Sequence, residues 1–169
     1  MATLSPEAVT RLWDRHSAAL VLYAQQWCVT PEDVVQEAFL QLARQPTGPD
    51  NPAAWLYRVV RNRAISAART AGRRSRHEAA AAEHGEPWFV GCEERRLDAE
   101  AATAALKKIS LELRETVVAR IWGGLSFAEI GKLMGASSST AARRYQAGLV
   151  AMRERLAIEC PETKNSRRN

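Results

Sequence analysis

Three times in the N-terminal half, a residue with a short polar side chain stands directly before proline and opens a run of apolar side chains: Ser5-Pro6-Glu7, Thr30-Pro31-Glu32-Asp33 and Asn51-Pro52. A side-chain oxygen at such a position can accept from a free amide of the first helical turn. Proline at the next position loses only an N–H that would have had no intrahelical partner. After the first start, Val9, Leu12, Trp13, Leu20, Tyr23, Ala24 and Trp27 recur at spacings of three and four, which predicts an amphipathic helix over 6–28. After the second, Val34, Val35, Ala38, Phe39 and Leu42 form the apolar stripe of a helix that ends near Arg44, before Pro46 and Pro49. The third start leads into WLYRVVRNRAISAART, with Gly72 as its expected end. No period-two alternation occurs anywhere in the chain, so the expected fold class is all-α.

The pattern fails between Ala71 and Arg96, where charge clusters, an alanine run, a glycine and a proline show no sustained period. That segment is expected to be a linker, partly helical. A second helical unit follows. Leu97 to Ile109 is alanine-rich, Arg114 to Trp122 reads as a further helix, and Gly123-Gly124 breaks it. The expected organisation is two small helical domains, 1–70 and 97–157, joined by a linker at 71–96 and followed by a polar tail at 158–169.

Charge is distributed unevenly over this plan. Between Asp50 and Glu78 there is no acidic residue, yet the stretch carries Arg58, Arg61, Arg63, Arg69, Arg73, Arg74 and Arg76. A solvated helix normally mixes signs to avoid self-repulsion, so the missing counter-charge points to an anionic partner. The overall formal charge of +5 agrees in sign. Three widely spaced cysteines fit a reducing compartment better than a disulfide framework, and cytoplasmic is the expected location. No apolar run is long enough to span a membrane, so no membrane insertion is expected. His16, His77, His84 and Cys92 are the only conceivable nucleus of a metal or catalytic site. Their spacing matches no recognised metal pattern, and His16 lies beside the apolar stripe of the first helix as a core histidine. The chain is therefore expected to be no enzyme and to need no cofactor or metal.

The most informative segment is GLSFAEIGKLMGASSSTAARRYQAGLVAMRERL, Gly124 to Leu156. SFAE, from Ser126 to Glu129, is a capping box, in which serine and glutamate reciprocally satisfy the first free amides of a helix. That helix ends at Gly135, and Ser137 or Ser138 caps a longer one reaching to about Leu156. A short helix, a glycine turn and a longer helix make a helix-turn-helix, with Gly131 where the two helices cross closely. Ser137, Ser138, Ser139 and Thr140 crowd the start of the second helix, where hydroxyls and amides can meet phosphate oxygens. Arg143 and Arg144 follow one turn later, and a guanidinium there can reach a guanine edge or a phosphate. Ala142, Arg143 and Gln146 share a face distinct from Ala141, Tyr145, Leu149 and Met152.

This segment resembles region four of bacterial sigma factors, whose pattern is LSxxEIAxxLGxSxxTVxxRLxRAxxxLR. EDVVQEAFLQLARQ and NPAAWLYRVVRNRAISAARTAGRR resemble region two. Two motifs in that order, with no third domain between them, resemble the extracytoplasmic-function (ECF) group of the sigma-70 family. The resemblance implies a protein that binds core RNA polymerase and directs initiation at promoter DNA. It implies polymerase binding by Asp33, Gln36, Glu37 and Gln41. It implies contacts to the minus-ten element from Arg58, Arg61, Asn62, Arg63, Ile65, Ser66 and Arg69. For the minus-thirty-five element it implies Ser137, Ser138, Ser139, Thr140, Arg143, Arg144 and Gln146. It also allows for an anti-sigma factor as a partner.

The chain departs from the family pattern at several places. Ser66 or Ala67 stands where many relatives have Asp, and Ile109-Ser110 replaces the usual Leu-Pro. Ala141 and Tyr145 replace Val and Leu, a small-for-large exchange that can compensate in a core. Ala142 lacks the usual basic group and Arg143 stands where Ser is frequent, which implies a shifted upstream sequence preference. The alternative function is a helix-turn-helix transcriptional regulator that does not act as a polymerase subunit.

Overall fold

The computed structural model describes residues 4–75 and 93–159, with side-chain surroundings for 4–71 and 101–156. Seven helices occur among them: α1 (Pro6–Ala24), α2 (Pro31–Ala43), α3 (Pro52–Ser75), α4 (Glu93–Lys108), α5 (Leu111–Ile121), α6 (Phe127–Met134) and α7 (Ser138–Glu159). The described residues contain no strand.

The expected start signals act as sequence chemistry requires, with one exception. Ser5 accepts from the Ala8 amide at 3.3 Å, and Asn51 Oδ1 accepts from the Ala54 amide at 3.1 Å. Thr30 makes no such bond, and Pro31 with the acidic pair Glu32 and Asp33 opens α2 without it. Other boundaries shift. The first helix ends at Ala24 rather than near Cys28, because Gln26 and Trp27 donate to Tyr23 and Ala24 and tighten the chain into a turn ahead of Pro31. Gly72 lies inside α3, which runs to Ser75: an interior glycine costs a helix only about 1 kcal/mol and need not end it. The helices α4 and α5 begin at Glu93 and Leu111, several residues earlier than expected; the first turn of α4, Glu93 to Arg96, is polar and leaves no periodic signal. His77 and His84, Cys92, and the tail from residue 160 onward lie outside the described residues.

Helices α1, α2 and α3 pack on one another through Leu20, Tyr23, Val35, Leu42, Leu56 and Val60, all fully buried. Burying each such aliphatic side chain contributes about 1.5 to 3 kcal/mol. Helix α7 packs against α4, α5 and α6. The two sets of helices also touch, α1 against α5 and α3 against α6, so that their buried residues form one contiguous cluster.

His16 is buried, as the core reading expected, and its buried Nδ1 has no hydrogen-bond partner among the described residues. Burial, with a smaller contribution from Arg15, holds its pKa below the ordinary value of 6.5. The folded chain thus binds this proton less readily than the unfolded chain. Its contribution to stability is complete above about pH 6.5 and is lost as pH falls through the depressed folded value. Urea titrations stepped downward from neutral pH should show the midpoint falling in wild type and falling less in His16→Gln. Parallel curves would assign the acid sensitivity to other groups.

Candidate nucleic-acid and polymerase interface

Helix α2 presents Asp33, Gln36 and Glu37 to solvent while Val34, Val35, Ala38, Phe39 and Leu42 are buried, which is the division its periodicity predicts. Gln41 is half-buried, and its Oε1 accepts from Arg63 Nη2 at 3.1 Å. The same guanidinium lies 3.7 Å from Glu37. Arg63, expected on DNA, therefore straps α3 to the acidic edge of α2 and joins the two candidate surfaces. Leu40 is 48% exposed on this α2 face. Sequence reasoning passed over it, although its position, three and four residues beyond Glu37 and Gln36, carried the signal.

On α3, Arg58, Asn62, Ser66 and Arg69 are exposed and Ile65 is half-buried, at spacings that keep them along one side of the helix. Leu56, Tyr57 and Val60 are fully buried, and Trp55 and Val59 are partly so. Arg61 points elsewhere. Its Nε donates to Glu115 Oε1 on α5, and its guanidinium carbon lies 5.9 Å from the Trp27 ring centroid. Tyr23 donates its hydroxyl hydrogen to the same Glu115 oxygen at 2.6 Å. Burial pushes the Tyr23 hydroxyl well above its usual pKa, and the Glu115 charge adds to this. Burial alone would lower the Arg61 pKa, but the Glu115 hydrogen bond and charge outweigh it and hold it raised.

The helix-turn-helix is built as its caps dictate. Ser126 and Glu129 complete the capping box: the Ser126 amide donates to Glu129 Oε2 at 2.7 Å, and the Glu129 amide to Ser126 Oγ at 3.3 Å. Those bonds from Ser126, aided by Asn51, keep the Glu129 carboxyl below its ordinary pKa. Gly135 ends α6 with φ at 64°, a left-handed conformation that glycine adopts without a Cβ penalty. A Cβ on Gly131 would lie 2.6 Å from the Ala136 carbonyl oxygen, so the turn packs directly on the helix at this point. Of the two candidate caps, Ser137 is the one that acts, accepting from the Thr140 amide at 3.1 Å. Its Oγ also lies 2.9 Å from the hydroxyls of Ser139 and Thr140.

Beyond this cap, Ser138, Ser139, Arg143 and Gln146 are exposed, Thr140 and Ala142 are half-buried, and Ala141 and Met152 are buried. Arg144 turns back to α5 and pairs with Glu112 at 2.9 Å, which separates it from the face holding Arg143. The exchange at Ala141 and Tyr145 is visible in the packing: Ala141 is buried, and the Tyr145 ring lies half-buried, 5.6 Å from Phe127.

Where α3 meets α6, a cleft of about 400 Å³ is lined by Asn51, Trp55, Arg58, Glu129, Lys132 and Leu133, among others. The Asn51 amide donates to Glu129 across it. Glu115, Tyr23 and Tyr57 were not among the expected functional residues. Only Glu115 left a sequence signal, as an acid directly before the apolar run Thr116 to Ala119.

Comparison with known proteins agrees with this geometry. Residues 12–74 match the family described as sigma-70 region 2. The chain is 31% identical over 143 residues to the ECF RNA polymerase sigma factor SigE of Mycolicibacterium smegmatis, covering 80% of this chain and 55% of that relative. The chain thus spans about half the length of the curated relative it matches. Among solved structures, the sigma factor RpoE in complex with the anti-sigma factor NepR from Bartonella quintana superposes with a TM-score of 0.71. It is 20% identical, over 92% of this chain and 99% of that one. CnrH in complex with the cytosolic domain of CnrY superposes with a TM-score of 0.60 at 22% identity, over 92% and 91%. Both share the all-helical fold. Residues 12–74 are thus similar to sigma-70 region 2, and the chain as a whole is similar to a relative named as an ECF RNA polymerase sigma factor.

Proposed function

We propose that this chain binds core RNA polymerase and directs promoter-specific initiation of transcription, acting in the cytoplasm and without covalent chemistry of its own. The observation that carries the reading is the exposed polar and basic side of α3, Arg58, Asn62, Ser66 and Arg69, within the segment that matches sigma-70 region 2. Phosphate contacts from these arginines supply salt-dependent affinity, and Asn62 and Ile65 are suited to an unpaired base as the strands separate. In this reading 1–70 is the minus-ten and polymerase-binding domain and 97–157 the minus-thirty-five domain.

The α2 face of Asp33, Gln36 and Glu37, with Leu40 as an apolar centre, docks on polymerase; Gln41 and Arg63 stiffen it from behind. Arg61 and Arg144 make ion pairs within the chain, so the direct DNA roles fall mainly to Arg58, Asn62 and Ser66 downstream and to Ser138, Ser139, Arg143 and Gln146 upstream. An anti-sigma partner is part of this reading; the RpoE structure is a complex with one. A helix-turn-helix regulator independent of polymerase leaves the region 2 match without a purpose.

Co-migration of the purified chain with core polymerase tests the docking half, with loss on charge reversal in Glu37→Lys. Arg143→Ala tests the upstream half. If Arg143 makes a bidentate base contact, the loss is about 1 to 3 kcal/mol on the preferred element and little on random DNA. An equal loss on both would make it a phosphate contact.

A further inference from the structure

Of the groups expected on DNA, Arg61 is the one paired with a buried carboxylate, and that carboxylate comes from the other half of the chain. Glu115 is 3% exposed at its side chain and Arg61 26%. The Glu115 oxygen receives two hydrogen bonds, from Arg61 Nε and the Tyr23 hydroxyl. Tyr23 packs edge-on against Tyr57, centroids 4.9 Å apart, and Tyr57 in turn faces Gly123. A Cβ at Gly123 would lie 2.7 Å from the Tyr57 ring and 2.9 Å from its hydroxyl oxygen. The absence of a side chain at Gly123 therefore lets the end of α5 close on α3. Asn51 and Glu129 make a second polar contact across the same seam.

We propose that Glu115 is an intramolecular competitor for nucleic acid: it clasps α5 to α3 and occupies the Arg61 guanidinium that a DNA phosphate takes when the two halves separate. The carboxylate and the phosphodiester offer the same guanidinium the same kind of charged acceptor, so one excludes the other. A chain held closed binds DNA with its dissociation constant divided by the fraction that is open, and so more weakly. The proposal rests on the reading of α3 as a DNA-binding helix, and it adds that the chain restrains itself before any partner does so.

The test uses the full chain alone, with a fluorescent single-stranded oligonucleotide as the probe at low salt. Glu115→Gln should tighten binding about tenfold if roughly nine-tenths of wild type is closed. Gly123→Val, whose side chain meets the Ala119 carbonyl oxygen and the Tyr57 ring and touches no charge, should tighten it similarly. Both should increase the radius of gyration by small-angle X-ray scattering, with helical circular dichroism retained. Tyr23→Phe, which deletes only the hydroxyl, should move affinity the same way by a smaller factor, and it decides the matter should either other variant lose its helices. Adding Arg61→Gln to Glu115→Gln should cancel the gain. Unchanged affinity, or a gain that survives removal of Arg61, overturns the clasp. Promoter-directed transcription with core polymerase separates the two claims. Its absence, with the affinity gain present, would sink the sigma reading and leave the clasp standing.

Discussion

Gly131→Val should cost the C-terminal helices about 3 kcal/mol, the upper end of what overpacking a close contact does, and should take upstream DNA binding with it. The first added carbon already meets the Ala136 carbonyl oxygen at 2.6 Å and the Ser137 carbonyl carbon at 3.1 Å, and both are backbone. A turn can give by a few tenths of an ångström for one methyl. The two further methyls of valine force α6 away from the segment that sets the start of α7, and with it the positions of Ser138, Ser139 and Arg143. Hydrogen exchange should show α6 and α7 losing protection while α2 and the first half of α3 keep theirs. Unaltered protection in α6 and α7 would mean that the turn accommodates the side chain and that the close approach has no structural weight.

Leu56→Ala should be the most damaging single truncation in the N-terminal half, at about 2 to 5 kcal/mol. Leu56 is fully buried in the first turns of α3, next in sequence to the equally buried Tyr57 and one turn before Val60. Emptying this position leaves a cavity beneath the helix that presents Arg58 and Asn62, so DNA binding should fall along with stability. Urea unfolding followed by circular dichroism measures the loss. A cost below about 1 kcal/mol would show that neighbouring helices collapse into the space, and that α3 is not anchored where its burial indicates.

Helix identity was legible in the sequence because caps and periodicity are local. Ser5, Asn51, the Ser126 and Glu129 box and Gly135 act as their neighbours in the chain require. The inner faces of α2 and α7 could be read for the same reason, since Val35, Phe39 and Ala141 fall at helical spacing. What could not be read was which arginine on a basic helix is occupied. Arg58, Arg61 and Arg63 look alike in sequence, yet one is exposed, one meets Glu115 fifty-four residues away and one meets Glu37 and Gln41. Those partners are set by the packing of α3 against α2 and α5, which no spacing within α3 encodes. Tyr57 was hidden likewise: it extends the apolar face of α3 sideways toward Gly123, in the turn after α5 and outside its own three-helix set.

The account is tested most directly by run-off transcription from a library of promoter fragments, using core RNA polymerase with and without this chain. It predicts transcripts that start at defined positions only when the chain is present, from fragments sharing an upstream and a downstream element, and lost when Arg58 and Arg143 are both replaced by alanine. A chain that joins core polymerase yet directs initiation from no fragment would contradict it.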